Sequence, residues 1–241
     1  MMVNLDVSDI ADIATASEAY ASRFSGAVGS WLLAVQEKAV LELIGAANAR
    51  SILDVGGGHG QLAFPLVREG FALTVAGSSD ECCKRVQPLL ESGRCAFVKC
   101  NFPALPFADA SFDIVVSVRY LSHSPHWQQM ISEMCRVARK AVILDYPRLN
   151  GFNLLAGPLF ALKKRLEGNT RNYLSFTDEQ IREAFEQNAF KFAGQRNQFC
   201  LPMVLHRILK QPGLSAWLEK TCQSAGIAAC FGTPAVIRME R

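Results

Sequence analysis

A short, largely apolar run breaks on four glycines at Ser51-Ile52-Leu53-Asp54-Val55-Gly56-Gly57-Gly58-His59-Gly60. This order describes a buried strand that turns sharply into a helix. Without a Cβ the chain can take positive φ and its backbone can approach a neighbour closely. The helix that follows is read over residues 61–69, through Leu62, Phe64, Leu66 and Val67. Its N-terminus offers free amides and a partial positive charge to an anion. Pro65 falls in the first turns, where a missing amide is least costly. The compatible folds therefore hold a ligand at the carboxyl end of a strand. Gly58-His59-Gly60-Gln61-Leu62-Ala63 also fits the G-x-G-x-x-A form of a nicotinamide- or flavin-binding turn, so the turn alone leaves the cofactor class open.

The rest of the chain keeps a strand–helix rhythm. Strands are expected at 71–76, 95–100, 112–118 and 141–144. The near-continuous apolar character of Phe112-Asp113-Ile114-Val115-Val116-Ser117-Val118 suits a parallel strand buried on both faces. A polar turn, Gly77-Ser78-Ser79-Asp80, can cap the helix after the second strand. Another helix is expected over about 127–137. Five alternating strands predict a right-handed, doubly wound parallel sheet of the α/β class. Before it, an apolar stripe through Trp31, Leu32, Leu33, Val35, Val40 and Leu41 predicts leading helices within 1–48. After Tyr146-Pro147 come a partly helical insertion at 150–175, a capping box at Thr177-Asp178-Glu179-Gln180 and a strand-like segment at 190–199. A second helical insertion at 201–228 and a final strand at 234–239 complete the single domain expected over 1–241.

Half of the 241 residues are hydrophobic and a fifth are charged, which supports a sizeable core and argues against disorder. A formal charge of +3, with short basic patches at Lys163-Lys164-Arg165 and at 136–140, does not suggest a nucleic-acid partner. The eight cysteines lack zinc-site spacing, and the polar, acidic stretch 1–20 lacks a secretory pattern, so reduced thiols and a cytoplasmic location are expected. No apolar run reaches the roughly 18 residues of a membrane span. His123 and His126 are spaced for a metal, but no third ligand accompanies them and none is expected to bind. A homodimer is left open.

Three ordered motifs carry a family resemblance. Leu53-Asp54-Val55-Gly56-x-Gly58-x-Gly60 resembles the first motif of class I S-adenosylmethionine-dependent methyltransferases. The stretch from Asn101 through Leu105-Pro106-Phe107-Ala108-Asp109-Ala110-Ser111-Phe112-Asp113 resembles the "D-x-x-x-L-P-F-x-D-x-S-F-D" signature of the type 11 subgroup, which includes ubiquinone and menaquinone biosynthesis methyltransferases. Arg136-Val137-Ala138-Arg139 is similar to that subgroup's "R-V-L-R" helix end without its closing Pro-Gly-Gly. The resemblance implies a Rossmann-like, doubly wound, seven-stranded sheet with helical insertions and an antiparallel last strand.

The resemblance also implies the site. Gly56, Gly57 and Gly58 would pass beneath the methionine part of S-adenosylmethionine, and Asp54 would hold the turn and the amino group. Gly77 stands where family members carry an acid for the ribose hydroxyls, so either Ser78 or Asp80 takes over or cofactor binding is weakened. Asn101 would accept from the adenine amino group and Phe102 would flank the ring. Ser117, Val118 and Arg119 would border the sulfonium, with Tyr20 covering the methionine end. His123, His126 and Asp145 are the candidate catalytic residues, although Asp145 equally suits a turn role. Tyr173 is a further lid candidate. The expected acceptor is a small molecule, hydrophobic if the insertions form a lid over it. Two rivals stay open: a degenerate, noncatalytic partner protein of the same fold, and a nicotinamide-dependent oxidoreductase.

Overall fold

The computed structural model describes residues 11–45, 48–149 and 174–241. The insertion expected at 150–175, with its basic patch and Tyr173, falls almost wholly outside the described residues.

Seven strands form one sheet: β1 (Ser51–Val55), β2 (Ala72–Gly77), β3 (Cys95–Lys99), β4 (Phe112–Ser117), β5 (Ala138–Tyr146), β6 (Lys191–Asn197) and β7 (Ala235–Glu240). Their order is β3-β2-β1-β4-β5-β7-β6. β1 to β5 are parallel, while β7 runs antiparallel to both β5 and β6. The chain order reverses between β1 and β4, which opens a crevice at the carboxyl ends of those strands.

Strand alternation sends side chains to both faces of the sheet. Leu53, Val55 and Val115 join one core with α6 (Trp127–Val137) and α7 (Asp178–Glu186). Ile52, Ile114 and Val116 join the other, with α3 (Gly26–Ile44), α4 (Ala63–Arg68) and α5 (Gln87–Glu91). Each fully buried aliphatic side chain contributes about 1.5–3 kcal/mol, so the central strands anchor the fold. α6 buries Met130, Ile131, Met134, Cys135 and Val137 along one stripe. α7 begins on the expected box: Thr177 Oγ1 accepts from Gln180 N, and Gln180 Oε1 accepts from Thr177 N. The leading segment divides into α1 (Ala11–Ala16), α2 (Glu18–Ala21) and the long α3, which stops at Gly45 with φ +58°. The segment at 201–228 is helical, with α8 (Met203–Leu209) and α9 (Pro212–Ser224), followed by α10 (Ile227–Phe231).

The Leu105 to Asp113 stretch has a mechanical explanation. Leu105 is buried, and Phe107 meets Phe112 edge-on at 5.0 Å. Arg136, from the last turn of α6, donates to Leu105 O, Phe107 O, Asp109 and both oxygens of Glu133 at 2.8–2.9 Å. One guanidinium thus fastens the loop before β4 to the helix after it. Asp113 accepts from Arg50 N and Ser51 N and pairs with Arg139 and Lys140; the Arg50 amide in particular holds its carboxyl down at about 2. Arg136→Ala is expected to cost about 2 kcal/mol by freeing two carbonyls and two carboxylates from their donor. Urea unfolding followed by circular dichroism would measure it.

Candidate functional site

The glycine turn leaves β1 as a short 3-10 turn at Gly57–His59, flanked by Gly56 (φ +77°) and Gly60 (φ +72°). Tyr120 packs on Gly56 so closely that a Cβ there would lie 3.0 Å from its ring, and Cys82 is 2.7 Å from where one would sit on Gly58. A Cβ on Gly57 would lie 2.2 Å from Asp54 Oδ2, so that carboxylate lies hard against the turn. Asp54 is fully buried, and neither oxygen has a hydrogen-bond partner. Burial pushes its carboxyl up to about 7. A buried acceptor without donors is costly, and a cationic ligand group would relieve it.

His59 fastens the same turn. Its Nδ1 accepts from Gln61 N, which leaves Nε2 protonated and 3.2 Å from Val118 O. Burial, followed by the nearby Arg119, holds the imidazole down to about 4, so it stays neutral. In the sequence His59 stands inside the glycine motif, with no separate role expected of it. Its position between two glycines on a strand-to-helix turn was the available signal.

The carboxyl end of β2 differs from expectation in an instructive way. Gly77 has no room for a side chain: a Cβ would lie 2.7 Å from Phe97 and 2.8 Å from Cys82. A carboxylate arrives instead from α1. Asp12 is fully buried and accepts from Ser78 N (2.7 Å), Ser78 Oγ (2.5 Å) and Cys82 Sγ (3.1 Å), 66 residues or more away in sequence. Ser78 therefore spends both donors on Asp12, and Asp80 is drawn off to Lys99 at 2.8 Å. Nothing local in the sequence marks Asp12 for this place. Asp12→Ala is expected to lower stability by about 2–3 kcal/mol, because it strands a buried amide and hydroxyl. Thermal unfolding of the variant would check this.

Asn101 stands at the next strand end, with its Oδ1 buried and unpartnered. Phe102 is buried edge-on against Tyr120 at 4.8 Å. Ser117 Oγ donates to Val55 O at 2.9 Å, tying β4 to β1 just before the turn. Arg119 holds φ +63°, which a non-glycine residue adopts only when its surroundings enforce it. Asp145, at the end of β5, enforces it here: Oδ1 accepts from Arg119 N at 2.6 Å and Oδ2 from Gln36 Nε2 at 2.8 Å. Burial raises the Asp145 carboxyl to about 6.

Two cavities open on this crevice. One, of about 390 Å³, is walled by Thr15, Tyr20, His59, Gly60, Arg85 and Arg119. The other, of about 280 Å³, brings together Tyr20, Arg119, His123 and Asp145 with Phe199 and Arg207. Of the candidate catalytic residues, His123 and Asp145 thus share a wall, whereas His126 is exposed at the N-cap of α6 and lines neither cavity. Among the described residues no three His, Cys, Asp or Glu side chains are grouped to hold a metal, and no helix is long and apolar enough to cross a membrane.

Residues 52–141 match the family model described as a methyltransferase domain. An uncharacterized methyltransferase of Mycobacterium marinum is 33% identical over 128 residues, which are 52% of this chain and 50% of that protein. The chain thus spans about half the length of the curated relatives it matches. Among solved structures, the magnesium protoporphyrin IX methyltransferase of Synechocystis PCC 6803 with bound S-adenosylhomocysteine superposes with a TM-score of 0.66 at 16% identity, covering 98% of this chain and all of that one. A SAM-dependent methyltransferase of Methanosarcina mazei gives 0.58 at 16% identity, over 80% of this chain and 92% of that one. Residues 52–141 are thus similar to a methyltransferase domain, and the seven-stranded order is the Rossmann-like fold of these solved methyltransferases.

Proposed function

We propose that the protein transfers a methyl group from S-adenosylmethionine to a small molecule seated in the 280 Å³ cavity. The observation that carries this reading is Asp54, a buried carboxylate pressed against the glycine turn with no donor of its own. It fits the ammonium of the methionine moiety, and the unpartnered Asn101 Oδ1 fits the adenine amino group. When bound, the cofactor supplies an activated methyl on a sulfonium. What remains for the protein is alignment, which by itself provides much of the acceleration in such reactions.

Within this reading Asp145 is a positioning residue. It fixes the strained backbone of Arg119, a residue that lines both cavities. His123 faces the acceptor cavity, where an imidazole can take a proton if the attacking atom must lose one. Phe24, Phe199 and Met203 give that cavity an apolar side suited to a hydrophobic acceptor body. Tyr20 lines both cavities.

Calorimetric titration with S-adenosylhomocysteine is expected to show binding, with no comparable signal for NADH. Absence of binding at millimolar concentration would overturn the reading. A noncatalytic member of the fold is the second reading, and Asp12 favours it because α1 already fills the hydrogen-bonding positions at the end of β2. Cofactor-product binding without turnover across a broad acceptor panel would support that alternative.

A further inference from the structure

The acceptor cavity gathers three arginines, of which Arg119 is hydrogen-bonded to the Tyr20 side chain and attracted by Asp145. Arg23, Arg119 and Arg207 all line it, and among the described residues none of the three lies within ion-pair distance of a carboxylate. Other arginines of the chain are matched: Arg85 with Glu18, Arg136 with Glu133 and Arg148 with Asp178. Among the described residues the one acid in the cavity wall, Asp145, has both oxygens engaged by Arg119 N and Gln36 Nε2. Three guanidiniums against one occupied carboxylate leave a surplus of cation that a ligand can neutralise.

The arginines are also held in place. Phe24 carries the Arg119 guanidinium 4.0 Å from its ring centroid and that of Arg207 at 5.3 Å. Cation–π contact of this kind holds a guanidinium against a ring while its in-plane N–H groups stay available, and those donors match the geometry of carboxylate and phosphate. Gln198, buried in the same wall, has an amide nitrogen with no acceptor. Phe199 and Met203 line the same cavity.

We propose that the cavity takes an acceptor whose apolar body ends in an anionic oxygen group, carboxylate or phosphate, oriented by Arg23 and Arg207 at the mouth and Arg119 within. This rests on the methyltransferase reading above. Arg119 also faces the larger cavity, where Arg85 accompanies it beside the glycine turn. It can therefore serve the cofactor's own carboxylate. Arg23 and Arg207 line only the smaller cavity of the two, and they separate the two roles.

The test is calorimetry on protein saturated with S-adenosylhomocysteine, using 2-naphthoate, 2-naphthyl phosphate and the neutral 2-naphthamide as probes. At least one anion is expected to bind about tenfold more tightly than the amide, and the stronger of the two identifies the head group. Arg207→Gln and Arg23→Gln should each weaken that anion by roughly tenfold, as loss of a charge-assisted contact does. Affinity for the amide and for S-adenosylhomocysteine should stay within about twofold under the same reasoning. Equal binding of amide and anions, failure of both anions to bind the wild type, or variants that lose S-adenosylhomocysteine instead would each overturn the proposal. If the wild type does not bind S-adenosylhomocysteine at all, the methyltransferase reading fails. The same titration on the free protein then still decides whether the cavity prefers anions.

Discussion

Gly57→Ala is expected to abolish detectable S-adenosylhomocysteine binding and to lower stability by about 3 kcal/mol, the upper part of the range for overpacked interiors. The new Cβ would sit 2.2 Å from Asp54 Oδ2 and 2.4 Å from its Cγ. Neither group can retreat cheaply. Asp54 lies on β1 between β2 and β4 and is fully buried. The turn itself is held by His59 to Val118 and closed by Gly60 N donating to Gly57 O at 2.9 Å. The strain must therefore be relieved by lifting the turn, which spoils the cradle. Gly213→Ala is the matching control. No atom lies within 4 Å of its would-be Cβ and it sits within α9, so a neutral or slightly stabilising change is expected. Parallel unfolding curves and titrations of the two variants would decide the matter. A Gly57→Ala protein that binds normally would show that the turn has slack.

The second large effect concerns Asp54→Asn, which is expected to improve stability at alkaline pH while weakening cofactor binding at least tenfold, the scale of a lost charge-assisted contact. The direction follows from proton linkage. Burial places the folded-state carboxyl at about 7, against about 3.9 in an unfolded chain. Between those values the unfolded chain has released its proton while the folded protein retains it. The unfolded state then binds fewer protons, so stability falls as pH rises from about 4 to 7. The displacement corresponds to on the order of 4 kcal/mol, which the asparagine variant would not lose. Asp145, raised to about 6, contributes a smaller loss of the same sign. His59, lowered to about 4, contributes the opposite slope: its stabilisation is lost as pH falls from about 6.5 toward 4. Denaturation of wild type and variant across pH 4 to 9 should therefore diverge most above pH 7. In the wild type, affinity for S-adenosylhomocysteine should rise with pH through about 7, because the ammonium needs the ionised carboxylate. The variant should show no such rise.

Much of the frame was legible because it is local. The strand at Ser51–Val55, helix α6 and the Thr177 box follow from alternation, amphipathic spacing and side-chain chemistry within a few residues. β5 extends beyond the expected 141–144, since its first residues are Ala138-Arg139-Lys140 and two cations after an amphipathic stretch look like a helix end. In fact α6 passes directly into β5, and Asp113 on the neighbouring strand gathers both cations. The glycine turn was legible as a pattern, but what presses on it was not: Tyr120, Asp54 and Cys82 meet it only through the fold. The same holds for Asp12 at the end of β2 and for Arg23 and Arg207, which come from opposite ends of the chain to one cavity. Such pairings are set by topology, and no short window of sequence contains them.

The position of β7 bears on how the chain acquires its fold. Among the described residues β6 pairs only with β7, and β7 is the strand that joins β6 to β5. Residues 191–197 therefore emerge from a ribosome with no partner strand yet made and must wait for residues 235–240, with the helices α8 to α10 synthesised in between. Until then β5 presents a bare edge that could pair with another nascent copy. The first five strands can assemble as they appear, whereas one side of the sheet, including part of the wall around Gln198, closes late. Stalling synthesis within 198–234 should thus leave a protease-sensitive intermediate that already contains the glycine turn but not the finished acceptor cavity.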